Sequence, residues 1–207
     1  MATVAIPNNS NNSVNFDYPE LELHPRALAG SQHKIEYHPG CTEPWVASLV
    51  SAFIVASGAR TVLETGAFLG TTSLVIAETL GKMGGGRFTA VDIDTHRASL
   101  VQEKLLKNSI EWNVDITVIA DDIMEVIKIT PNLSLDLVWI DDDHNPEHVS
   151  AEIEALYPKM SVGGLMLLHD VFGAGLDLWK IVRAKGGYAI DLPKMGPAGG
   201  LGMIQAP

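Results

Sequence analysis

Beyond Arg60 the chain alternates short apolar runs with stretches whose apolar positions recur at helical spacing. The runs predict strands at Thr61–Glu64, Arg87–Asp92, Asp115–Ala120, Leu135–Asp141 and Leu165–His169. Between them the spacing predicts helices at Thr72–Leu80, Thr95–Lys107, Ile123–Ile129 and Pro146–Tyr157. The last of these has Asn145 as a cap, Pro146 in the first turn, and Val149, Ile153, Leu156 and Tyr157 on one face. Upstream, Trp45, Val46, Leu49, Val50, Phe53 and Ile54 also repeat at helical spacing, with Thr42 placed to cap them. Downstream, a helix around Leu176–Ala184 precedes strands at Tyr188–Leu192 and Leu201–Gln205. The loop between them, Pro193–Gly200, is too short for a crossover helix, so this last pair is expected to run antiparallel. Regular alternation of strand and helix implies an α/β fold: a doubly wound, seven-stranded, mostly parallel sheet with helices on both faces and an antiparallel last strand.

Composition narrows the picture. At 207 residues, 46% of them hydrophobic, the chain is long enough for one domain with a sizeable core. Residues 31–207 are read as that domain. Residues 1–30 carry Asn, Ser and Pro with little periodicity and are read as a flexible arm, able to pack on a neighbouring copy in a homo-oligomer. The net charge of −11 disfavours nucleic acid and anionic membranes as partners. A single cysteine, Cys41, excludes an internal disulfide and any zinc site needing two thiolates. The start of the chain lacks a signal-peptide pattern, and the longest uncharged run, Pro44–Ala59, is too short to span a bilayer. A cytoplasmic protein is therefore expected.

The chemistry gathers at the strand ends. Each of the first five predicted strands stops at or beside a carboxylate: Glu64, Asp92, Asp121 with Asp122, Asp141, and Asp170 after His169. In a doubly wound sheet these ends share one edge, where ligands bind. Asp122 also has a local reading as a helix cap, because Glu125 follows at capping-box spacing. At the first junction, VLETGAFLGTTSLVIA, Gly66 and Gly70 allow a sharp turn and a close ligand approach. A dinucleotide fingerprint would need glycine at 68 and 71, where Phe68 and Thr71 stand, so a nicotinamide-dependent oxidoreductase is disfavoured.

This junction resembles motif I, E-x-G-x-x-x-G, of the class I S-adenosylmethionine-dependent methyltransferases, with a Rossmann-like sheet. It is most similar to the catechol and caffeoyl-CoA type O-methyltransferases, which also place an aromatic residue midway between the two glycines, here Phe68. The resemblance implies that Gly66 and Gly70 border the methionine part of S-adenosyl-L-methionine, that Thr72 bonds its carboxylate, and that Glu64 holds the loop or the amino group. It puts Asp92 on the ribose hydroxyls, with Asp94 as the fallback, and Asp122 on the adenine amino group. The stretch LDLVWIDDDHNPEHV resembles the I-D-x-D-H segment of a bacterial group that includes macrolide-sugar methyltransferases and cephalosporin-hydroxylase-like proteins. That likeness makes Asp141 a cation ligand beside the cofactor and His144 the general base, with His169 and Asp170 completing the metal site.

Hard oxygen ligands suit Mg²⁺, and a histidine at 169 brings Mn²⁺ or Fe²⁺ into range; otherwise His169 stands behind the ligands or is a hydrogen-bonded core histidine. A cation beside a substrate hydroxyl lowers its pKa so that an imidazole can take the proton. The expected activity is thus divalent-metal-assisted O-methylation of a small-molecule hydroxyl. The alternative is a non-catalytic S-adenosylmethionine-binding protein with a regulatory or assembly role, for which Asp92 and Asp122 suffice and the group Asp141, His144 and Asp170 has no use.

Overall fold

A computed structural model describes residues 40–108, 112–172, 177–191 and 199–207. The 1–30 arm and most of the Pro193–Gly200 loop lie outside the described residues. The elements in chain order are α1 (Pro44–Ser57), β1 (Thr61–Thr65), α2 (Thr71–Lys82), β2 (Gly86–Asp92), α3 (Thr95–Asn108), β3 (Val114–Ala120) and α4 (Ile123–Ile129). They continue with β4 (Leu135–Ile140), α5 (Pro146–Leu156), a 3₁₀ turn (Tyr157–Lys159), β5 (Met160–Phe172), α6 (Leu178–Ala184), β6 (Tyr188–Ile190) and β7 (Gly199–Gln205).

Seven strands form one sheet in the order β3-β2-β1-β4-β5-β7-β6. β1 pairs in parallel with β2 and β4, β2 with β3, and β4 with β5, whereas β7 runs antiparallel to β5 and β6. The doubly wound sheet and its antiparallel last strand are as the sequence pattern predicts. Successive residues of a strand face opposite sides, and the core divides accordingly. Val62, Leu137, Trp139, Leu165 and Leu167 pack under α1, α2 and α3 together with Val50, Ile76 and Val101. Leu63, Val138, Ile140, Met166 and Leu168 pack on the other side with Val126, Ile153 and Val182 of α4, α5 and α6. Both faces of the central strands are therefore buried, which is why β4 and β5 read as unbroken apolar runs. Strand order reverses at β1, between β2 and β4, and this opens a crevice at the carboxyl ends of these strands.

Two local expectations need correction. β5 begins at Met160 rather than Leu165, because Gly163 and Gly164 sit in a register shift within the strand instead of ending it. Thr42 does not cap α1; the cap position is Glu43, whose side chain makes no capping bond, and the Thr42 hydroxyl is used elsewhere. Asn145 does cap α5, accepting from the N–H groups of Glu147 and His148. No helix among the described residues is long and apolar enough to cross a membrane.

Candidate active site

The crevice is a cavity of about 680 Å³ lined from the β1, β2, β3, β4 and β5 ends. Its first wall is the turn after β1. Gly66 and Gly70 both take φ +77°, and a Cβ on Gly66 would lie 2.2 Å from the Asp141 carbonyl oxygen, so only glycine fits there. The Gly66 and Ala67 N–H groups both donate to Val91 O at 3.0 Å, and these bonds tie the turn to β2. Phe68 adopts φ 46° and presents its ring to the cavity, with the Arg97 guanidinium 4.7 Å from the ring centre.

Asp92 ends β2 with its carboxylate fixed from two directions. Oδ2 accepts the Phe68 N–H at 2.7 Å and Oδ1 the Asp94 N–H at 2.9 Å. A carboxylate has about four acceptor sites, so it can still take ligand hydroxyls. Asp94, the fallback, is engaged as the cap of α3, where the N–H groups of Arg97 and His96 hold its carboxyl below the usual range. Asp122 lines the cavity and caps α4, accepting the Met124 N–H at its start. Glu125 pairs with Lys128 instead of closing a capping box.

Three residues assigned to the cofactor by resemblance stand behind this wall. Glu64 is 1% exposed and accepts the Ser73 hydroxyl, so it locks β1 to α2. Burial pushes its carboxyl well above the usual range, against the pull of Ser73, and Asp141 and Asp92 add to the rise. Thr72 is buried and donates to Thr42 Oγ1 at 2.7 Å, beside a small recess next to the main cavity. Gly70 starts α2 without reaching the cavity lining.

The opposite wall is assembled from distant parts of the chain. Asp141, His144, His169 and Asp170 come together there as the sequence implies. Asp141 Oδ2 accepts the Thr42 hydroxyl at 2.7 Å, across 99 residues, and its Oδ1 lies 2.9 Å from His169 Nδ1. The second nitrogen of His169 lies 2.9 Å from Glu43 Oε2, 126 residues away. Burial alone would lower the His169 pKa, but Asp141, by charge and hydrogen bond, and Glu43 outweigh it and hold the imidazole up at about 11. His144 Nε2 lies 3.8 Å from both Asp141 Oδ1 and Asp170 Oδ2; it is buried and has no hydrogen-bond partner. Asp170 follows at φ 48°, and burial raises its carboxyl despite the opposing charges of His169 and His144. The sequence reading missed Glu43 entirely, because nothing local links a residue before α1 to a histidine at the end of β5.

With this geometry in view, residues 63–171 match the family described as a methyltransferase domain. The chain belongs to that family. The class I methyltransferase fold expected from the motifs is therefore established, and methyl transfer is the activity class of the family. Similar solved structures include Rv0187 from MTB, solved cofactor-bound, at 17% identity and TM-score 0.67, with 87% of this chain and 86% of that one covered. The O-methyltransferase TomG from Streptomyces achromogenes, solved with SAM and involved in tomaymycin synthesis, is 16% identical at TM-score 0.64, covering 81% and 82%. An O-methyltransferase from Bacillus cereus in complex with SAH is 16% identical at TM-score 0.62, covering 82% and 84%. At these identities the likeness shows a shared fold. No curated protein matches the chain by sequence.

Proposed function

We propose that this methyltransferase moves a methyl group from S-adenosyl-L-methionine to a hydroxyl of a small molecule, in the cytoplasm, with a divalent cation at the β4–β5 side of the cavity. The observation that carries the reading is His144 Nε2: buried, without a partner, and flanked at 3.8 Å by Asp141 and Asp170. An imidazole so placed can take a proton and be held as a cation between two carboxylates. Asp170 Oδ1 is likewise buried without a hydrogen bond, 3.5 Å from His169 Nε2, and a carboxylate oxygen left free of hydrogen bonds suits a metal site.

When bound, the cofactor would supply an electrophilic sulfonium methyl and the cation would acidify the acceptor hydroxyl. Asp92 and Asp122 would accept from the ribose and adenine of the cofactor, while the Gly66 turn and Phe68 would border its methionine end. Asp141 and Asp170 would hold the cation. His169, with one nitrogen toward Asp141 and the other toward Glu43, would orient Asp141 rather than carry the proton. His144 would accept the hydroxyl proton at Nε2.

The test is transfer of labelled methyl from S-adenosylmethionine to a panel of small hydroxyl compounds, with Mg²⁺ or Mn²⁺ and with chelator. Label transfer that needs His144 and the metal is the expected result. Cofactor binding with no transfer to any hydroxyl would favour the non-catalytic binding reading.

A further inference from the structure

A second set of side chains, which the reaction above does not use, converges next to the Asp141 group, and two of its members, Asp142 and His148, line the same cavity. His148 and Glu152 stand one turn apart on α5 and so share a face, and Asp142 reaches them from the loop. His148 Nε2 lies 2.9 Å from Asp142 Oδ2 and 3.8 Å from Glu152 Oε2. One donor atom from each of the three lies within 4.8 Å of the others.

What sets this cluster apart from an ordinary acidic turn is Glu152. Its side chain is wholly buried, and neither carboxyl oxygen has a hydrogen bond. Asp142 Oδ1 and the hydroxyl of Thr65, itself fully buried, also lack a well-formed hydrogen bond, and these two are the groups placed to bond Glu152, Thr65 to its charged form and Asp142 to its protonated form. Burial, reinforced by the Asp142 charge, pushes the Glu152 carboxyl well above the usual range. A buried carboxyl group facing a second carboxylate is destabilising unless something positive lies between them. A proton shared by the two acids would satisfy one oxygen of each and leave the rest. A cation contacts both carboxylates and the imidazole nitrogen at once.

We propose that Asp142, His148 and Glu152 form a second divalent-cation site, distinct from the Asp141 group and suited to a first-row transition ion. The imidazole nitrogen selects for ions such as Co²⁺, Ni²⁺ or Zn²⁺ over Mg²⁺ or Ca²⁺. The ion takes the place of the proton between His148 and Asp142, with the Thr65 hydroxyl available behind it. Because Asp142 adjoins Asp141 and precedes His144 by two residues, such an ion pins the loop to α5 and fixes the segment that carries the base. This site does not depend on the methyl-transfer reading.

The experiment titrates chelator-treated, full-length protein with Co²⁺, following visible absorption for nitrogen ligation and elemental analysis for the bound ratio. The expected result is a Co²⁺ ion whose affinity falls roughly 10–100-fold in Glu152→Gln and in His148→Ala but persists in Asp141→Asn. His148→Ala is decisive if Glu152→Gln fails to fold, since His148 is partly exposed. If both variants bind Co²⁺ with wild-type ratio and affinity, or if Asp141→Asn alone abolishes all binding, the proposal is overturned. Titration of the same variants with S-adenosylmethionine keeps a failure here separate from a failure of the methyl-transfer reading.

Discussion

On the β1–β3 side of the cavity Asp92, Asp94 and Asp122 are held by backbone. Asp92 accepts the N–H groups of Phe68 and Asp94, Asp94 those of His96 and Arg97, and Asp122 that of Met124. On the β4–β5 side Asp141 is held by the side chains of Thr42 and His169, and Glu43 by that of His169. Backbone donors are fixed by the local turn and stay in place whatever binds. Imidazoles and hydroxyls can change partner and protonation state. On the proposed function, the first side would recognise a constant ligand, and the second would handle a proton and a charge that come and go.

The comparison can be broken at several points, from the largest effect to the smallest. His144→Ala should lower methyl transfer by about 10²–10⁴-fold while S-adenosylmethionine affinity, read by calorimetry, is unchanged; loss of both would mean the two sides do not divide the work. Gly66→Ala should destabilise the fold by roughly 3 kcal/mol or more in chemical denaturation, because the added methyl meets the Asp141 carbonyl and φ is +77°. Asp92→Ala removes acceptors for the turn and for the proposed ribose contact, and should weaken S-adenosylmethionine binding by about 1.5–3 kcal/mol in calorimetry.

Glu64→Gln sharpens the comparison through pH. A carboxyl whose folded pKa is raised contributes its stability below the unfolded value near 4.5 and loses it as pH rises through the folded value. The glutamine variant should therefore be more stable than wild type in thermal melts at pH 8, with the difference closing toward pH 4.5. Asp122→Ala should cost about 1 kcal/mol of stability as a lost cap. A larger loss in cofactor affinity than in stability would show that its two roles are separable.

The same division explains what could be read from the chain. The period-2 and period-3.6 patterns decide the sheet, since β4 and β5 have no way to bury both faces except under helices. Asp92, Asp141, His144 and Asp170 were legible because each lies at or near a strand end: Asp92 closes β2, Asp141 and His144 follow β4 within four residues, and Asp170 falls near the end of β5. Thr42 and Glu43 were not. Their partners lie 99 and 126 residues away, and Thr42 carried a plausible local use as a cap that the fold overrode. The start of β5 was placed too late for a related reason: the strand runs on upstream of Leu165 through a register shift, where the Gly163 N–H donates to Ala206 O and Gly164 O accepts the Ala206 N–H, a partner 42–43 residues away. Glu152 was read only as an unnamed position on the apolar helix, because its burial depends on the loop that folds over it.

The contact between the Gly66 turn and the Asp141 carbonyl has a consequence for how such a protein can change. The turn after β1 and the loop after β4 fit one another with no room for a single carbon, so neither can be exchanged for a relative's version alone. A chimera should work when the two segments are transplanted as a matched pair. Acceptor preference is then free to drift only in loops that leave this seam untouched.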